Sequence, residues 1–151
     1  MATVKIKGLD KFNRDFKRHA KNISKGSPVF NEIGELWARD VKKIFDIGGD
    51  PKWKPSGRAS AGGTVKAGKR KGQTKKGKTL LKTGRLKGSI IPRVEGNKII
   101  LGTNTIYAAV HNYGGKTGRG HKVTMTKREF MMLRPSIMRD ILKRLTQAAT
   151  K

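Results

Sequence analysis

Between Asp50 and Glu95 the chain has no acidic residue, while fourteen lysines and arginines fall in that interval. Its first part, from Ile47 to Lys78, is rich in glycine, sets Pro51 and Pro55 around Trp53, and shows no sustained apolar period. Such a segment cannot bury enough apolar surface to offset the entropy lost on ordering it. The core must therefore come from the residues on either side. Residues 47–78 read as a long, mobile basic loop within a single domain spanning 1–151. Trp53 is the one large apolar side chain in that loop, placed to pin its beginning to the body. An apolar fraction of 34% in 151 residues fits one modest core with substantial segments outside it.

The flanking sequence carries the periodic signals. Thr3 to Lys7 alternates and predicts a first strand. Leu9, Phe12, Phe16, Ala20 and Ile23 recur at helical spacing. Ser27 and Pro28 suit the start of a second helix, whose stripe is Val29, Ile33, Leu36, Trp37, Val41, Ile44 and Phe45. An aromatic stripe of this kind usually means burial, so Phe12, Phe16, Trp37 and Phe45 are assigned to the core. Leu80 to Ile90 predicts a helical turn, a break at Gly84 and entry into a strand from Ser89 to Val94. Glu95-Gly96-Asn97 then turns the chain into an antiparallel partner, Lys98 to Leu101. Thr103 to Thr105 offer capping oxygens, and Ile106, Tyr107, Ala109, Val110 and Tyr113 suggest the apolar face of a short helix ended by Gly114-Gly115. Lys116 to Gly120 reads as a basic loop and His121 to Met125 as a strand. Thr126 and Glu129 have capping-box spacing, which predicts a helical turn over Lys127 to Leu133. Pro135 opens a last helix with Ile137, Met138, Ile141, Leu142, Leu145 and Ala148 inward. The fold class is α+β: about three helices packed on a small, mostly antiparallel sheet, with the basic loop beside it.

The formal charge of +26 points to a polyanionic partner without choosing among DNA, RNA, acidic protein surfaces and anionic membrane. Other classes fall away on chemistry. With no cysteine there is no disulfide, thiolate metal site or cysteine nucleophile. No apolar run approaches the roughly 18 residues of a membrane span, and the N-terminus lacks the apolar region of a signal peptide. Gly72, Gly77, Lys78 and Thr79 match a P-loop pattern. However, the preceding KAGKRK cannot be the buried strand that makes backbone N–H groups converge on phosphate. His19, His111 and His121 have no further ligands at metal-site spacing. The few acids form no pair with a nucleophile. Neither an enzyme nor a cofactor is expected. Lys66, Lys69, Arg70, Lys71, Lys75, Lys76 and Lys78 are the candidate DNA or partner contacts. Without a helix or ribbon to enter a groove, any DNA contact they make is non-specific and salt-dependent.

Four stretches, in this order and spacing, carry a resemblance. They are FDIGGDPKWKP at Phe45–Pro55, with Trp53; GKTLLKTGRLKGSI at Gly77–Ile90, with Thr83, Gly84, Leu86 and Ser89; LGTNTIYAAVHNYGG at Leu101–Gly115, with Gly102, Thr103, Asn104, Tyr107, Ala108, His111, Tyr113 and Gly114; and MMLRPSI at Met131–Ile137, with Arg134 and Pro135. Together they resemble the tail-completion proteins of tailed bacteriophages, the Mu-like virion morphogenesis family. The resemblance covers most of the chain from about residue 30. It implies a structural protein of the virion neck that completes the tail and allows head–tail joining, made in the host cytoplasm and retained in the virion. It also implies a homo-oligomeric ring, six subunits being the expected number, around the DNA channel. The implied neighbours are the tail tube or terminator and the head connector or portal adaptor, with passing DNA a further contact and no membrane. The interval from Trp53 to Thr79 is more basic and glycine-rich than that pattern. Met131, Met132 and Ser136 stand where proline and phenylalanine are usual.

The alternative from the charge alone is a non-specific nucleic-acid-binding protein working through the Lys/Gly loop. Such a protein has no need of GTNTIYAAVHNYGG. Replacing Lys69, Arg70, Lys71, Lys75 and Lys76 with glutamine is expected to weaken DNA or connector contacts and leave the fold intact. Circular dichroism and a DNA titration check this, and loss of folding would place the segment in the core.

Overall fold

In the computed structural model, residues 9–21, 23, 28–56, 59, 63–64, 74–75 and 77–150 are described. The expected strand Thr3–Lys7, the Ser27 cap and part of the expected 47–78 loop, including residues 65–73, lie outside those residues. The chain is α+β. Helices α1 (Leu9–Lys21) and α2 (Pro28–Ile47) are followed by the two-residue strands β1 (Gly63–Thr64) and β2 (Thr74–Lys75). A short α3 (Arg85–Gly88) leads into the hairpin β3 (Ile90–Glu95) and β4 (Lys98–Thr103). Then come α4 (Ala108–Tyr113), β5 (Gly115–Thr117), β6 (Val123–Met125) and α5 (Pro135–Ala149). The strands form three two-stranded ribbons, β1–β2, β3–β4 and β5–β6. Gly63 pairs with Lys75, so a short antiparallel ribbon lies within the interval that sequence assigns to loop. Gly115–Thr117 pairs antiparallel with Val123–Met125, so Lys116 and Thr117 belong to a strand and not to the expected basic loop.

The chain gathers into two compact units. One takes the chain up to Asp40, Ile91–Gly102 and Leu133–Lys151; the other takes Val41–Ile90 and Thr103–Met132. In the first, α1 packs on α5, and their facing stripes close over the first half of α2. Phe12, Phe30, Ile33, Ile137, Ile141 and Leu145 are buried there, with Val94 and Ile99 of the hairpin packed against them. Each such side chain contributes about 1.5–3 kcal/mol of hydrophobic stabilisation. Phe16 and Trp37 are half-buried at the margin. A glycine within α2 costs about 1 kcal/mol of helix propensity, and the packing explains it. A Cβ on Gly34 would meet the Cβ of Pro92 at 2.9 Å. The hairpin turn also serves α1, because Asn97 Nδ2 donates to the carbonyl of Ala20 at 3.1 Å, satisfying a C-terminal acceptor.

Arg134 precedes α5 in extended conformation and Pro135 sits at the first helical position, as the Arg-Pro pair predicts. The guanidinium has a further use. Its Nε donates to Asp40 Oδ2 at 2.9 Å and its Nη2 to Oδ1, a two-pronged pair closing across 94 residues of sequence. Asp40 is only 7% exposed. Removing one partner of a buried pair strands the other charge, at a cost of about 3–5 kcal/mol. Asp40→Ala is therefore expected to lower the thermal midpoint strongly. Asp40→Leu combined with Arg134→Met, which strands no charge, is expected to recover most of that loss in the same calorimetric scan.

Candidate interaction surface

The second unit is built around three aromatic rings. Phe45, on the last turns of α2, lies edge-on to Trp53 with centroids 5.5 Å apart and against Phe130 at 5.0 Å. Phe45 and Phe130 are fully buried. The Trp53 indole N–H donates to the carbonyl of Glu129 at 3.0 Å. Trp53 thus does pin the segment after α2 to the body, and its hydrogen bond satisfies the one polar atom it buries.

The stretch from Thr126 to Met132 is irregular, not the expected helical turn, because its backbone donors are claimed from outside. The Arg128 N–H donates to the carbonyl of His111 at 2.8 Å. Asn112 Oδ1 accepts from the N–H groups of Phe130 at 2.9 Å and Met131 at 3.0 Å. Glu129 pairs with Lys127 instead of capping a helix. Arg128 is buried, its Nε donating to the carbonyl of Lys54 at 3.1 Å and its Nη1 to that of Thr126 at 3.3 Å.

These demands turn α4 over. Its inward residues are Ala108 and Asn112, one turn apart, because Asn112 must reach the 130–131 backbone and a small residue beside it lets the helix approach. The apolar residues whose spacing suggests one face of this helix lie largely in solvent. Ile106 is 97% exposed, Tyr113 72% and Tyr107 43%. Ahead of the helix, Ser89 Oγ donates to the carbonyl of Leu86 at 2.9 Å. It also lies 2.6 Å from Thr103 Oγ1 and 2.8 Å from Thr105 Oγ1. This hydroxyl cluster fixes the end of β4 against the turn after α3. Behind the helix, Gly114 has a φ of +74° and a Cβ there would meet the Lys127 nitrogen at 2.9 Å, so only glycine fits.

Several of the motif residues therefore act on this one frame. Trp53, Ser89, Thr103, Ala108 and Gly114 hold it; Gly84, at φ +75°, opens α3 and the Leu86 side chain is buried. Arg134 and Pro135 belong to the first unit. Asn104 is exposed, and nothing in the structure explains Gly102, where a Cβ meets open space. Of the candidate contact cations, Lys66, Lys69, Arg70, Lys71 and Lys76 lie outside the described residues; Lys75 stands in β2 and Lys78 is exposed. Sequence reasoning missed Asn112 and Arg128. Asn112 had a signal: a polar residue one turn after an alanine, inside an otherwise apolar helix.

Beside α4 opens a pocket of about 390 Å³. Leu80 and Leu86 with Tyr107 give it an apolar wall, and Lys82, Arg85 and Thr83 line it as well. His111 reaches it too, with its ring edge-on to Tyr107 at 5.8 Å. Among the described residues no cluster of three or more His, Asp or Glu could hold a metal ion, and no helix is long and apolar enough to cross a membrane.

Burial, and then the Arg128 charge, hold the His111 pKa below the ordinary 6.5, and its Nδ1 is buried with no hydrogen-bond partner. The folded chain therefore resists a proton that the unfolded chain accepts. This contribution is present above the ordinary histidine pKa and is lost as pH falls through the lower folded value. The thermal midpoint is expected to drop as pH falls below the ordinary histidine pKa. In His111→Asn, which retains His19 and His121, the drop should be smaller.

The sequence profile of the Phage virion morphogenesis family matches residues 8–149. A similar protein is the Mu-like prophage FluMu G protein 2 of Haemophilus influenzae, 31% identical over 143 residues, which is 95% of this chain and 92% of that protein. No solved structure matches this chain. With nearly its whole length inside the family profile, and with a relative that matches it end to end, the chain belongs to the phage virion morphogenesis family.

Proposed function

We propose that this protein completes the phage tail and joins it to the head at the neck, as a ring of subunits around the DNA channel. The role is structural and involves no catalysis. The observation that carries it is the outward exposure of Ile106, in the turn ahead of α4, and of Tyr113 at the end of that helix. A chain this highly charged does not need Ile106 at 97% exposure and Tyr113 at 72% to stay folded. Solvent-facing apolar groups at and just before a short helix are what an assembling protein keeps for its neighbours. Family membership supplies the context of a virion under construction.

The charge constrains how such a ring forms. Copies carrying +26 each repel one another at low ionic strength. A ring of six is then stable only with anions close by, whether acidic surfaces of the tail and connector or DNA in the channel. The protein would work in the neck of the finished virion, after assembly in the host cytoplasm. The same charge favours the second reading, a non-specific nucleic-acid binder, and a salt titration separates the two. A simple binder loses DNA steeply as salt rises, whereas a ring component stays in purified particles in fixed stoichiometry.

Disruption of the gene in its phage, followed by electron microscopy, is the decisive measurement. Filled heads beside separate, unjoined tails are expected. Normal infectious virions would overturn the proposal.

A further inference from the structure

We infer that the pocket beside Tyr107 docks an acidic segment of a partner protein that inserts an apolar side chain between Lys82 and Arg85. The inference rests on the structural-virion reading above and gives that reading a specific contact surface.

Three observations converge on it. The first is the chemistry of the wall. Leu80, Leu86 and Tyr107 offer an apolar surface, and about 390 Å³ has room for one or two side chains. Next to Tyr107 on the chain stands Ile106, almost wholly exposed. Leu80 is held at a φ of +60°, which a leucine adopts only where its surroundings impose it.

The second observation is unmatched charge. Lys82 and Arg85 line the same pocket and are exposed. Neither forms an ion pair among the described residues, whereas Lys87 two residues further on is held by both oxygens of Asp46, at 2.6 and 2.8 Å. Two cations unpaired among the described residues, lining a largely apolar pocket, match a segment that sets carboxylates beside a leucine or an aromatic ring.

The third is what the charge excludes. A second copy of this chain brings 36 basic residues against 10 acidic ones. Of those acids, Asp15, Glu32, Asp40, Asp46 and Glu129 are already paired within the fold. DNA supplies the anions but no aliphatic group to cover Ile106, Leu80 and Leu86. An acidic protein segment supplies both.

The test uses the full chain and two synthetic acidic peptides of equal charge, one with a central Leu-Phe and the other with Ser-Ser there. A DNA duplex is the third probe. Binding is followed at physiological salt by NMR of the leucine methyl groups. The Leu-Phe peptide should shift Leu80 and Leu86 and bind at least about tenfold more tightly than its Ser-Ser counterpart. Lys82→Gln with Arg85→Gln, and separately Tyr107→Ser, should each reduce its affinity by about tenfold. Both cations are exposed, so the double variant keeps its fold, which circular dichroism checks. Equal binding of the two peptides, variants without effect, or stronger displacement of the leucine signals by DNA would overturn the inference. The same double variant, supplied to a gene-disrupted phage, separates the two levels of argument. Normal virions from the disruption alone would remove the neck function and this contact with it. Disruption that leaves tails unjoined, with joining fully restored by the double variant, would remove only the contact. Failure of the folded variant to restore joining is the expected result.

Discussion

One carboxamide organises the second unit. Asn112 Oδ1 takes the N–H groups of both Phe130 and Met131, and the carbonyl of His111 beside it takes that of Arg128. A stretch with no helix or ladder of its own must find partners for its buried backbone donors elsewhere. Here three of them close on one short helix. That closure seats Phe130 against the Phe45 ring and holds the carbonyl of Glu129 where the Trp53 indole can reach it. It also decides which way α4 faces, and so which side chains are left in water. Leaving even one of those donors unsatisfied would cost about 1–3 kcal/mol, so the helix has little freedom to rotate its apolar side inward.

Much of the fold was legible because its signals are local. The stripes of α1, α2 and α5, the β3–β4 hairpin and the Arg-Pro start of α5 follow from periodicity and turn chemistry over a dozen residues or fewer. Where reading failed, a distant partner had outbid the local preference. Thr126 and Glu129 have the spacing of a capping box, yet the donors a helix would need there belong to His111 and Asn112. Ile106, Tyr107, Ala109, Val110 and Tyr113 have the spacing of one apolar helix face. The core, however, wanted one small residue and one carbonyl oxygen, which Ala108 and Asn112 provide. The Asp40–Arg134 pair could not be seen at all, since nothing local links residues 94 positions apart.

Of the candidate site, the motif residues proved informative about architecture before chemistry. Ser89, Thr103 and Gly114 are placed to fix a turn, a strand end and a helix exit. The pocket cations Lys82 and Arg85 were not among the expected contacts because they sit in a segment where lysine and arginine are everywhere. Composition shows the excess of charge, and only the geometry shows which cations lie beside an apolar wall.

The distribution of that excess bears on how such a chain finds its neighbours. At least half of its acidic residues are spent on internal ion pairs, so the surface is left with cations and few anions of its own. Long-range repulsion then keeps free copies apart, while any acidic surface is approached with electrostatic help. Apolar contact acts only at short range and is indifferent to partner. Tyr107 lines the same pocket as Lys82 and Arg85, which form no ion pair among the described residues, and this couples the two effects: burial of the apolar groups is favourable only against a surface that first neutralises the cations. In the proposed role this ordering has a use. A subunit with exposed isoleucine and tyrosine can remain dispersed until an acidic neighbour of the growing virion is present, and the hydrophobic gain is then realised at that surface.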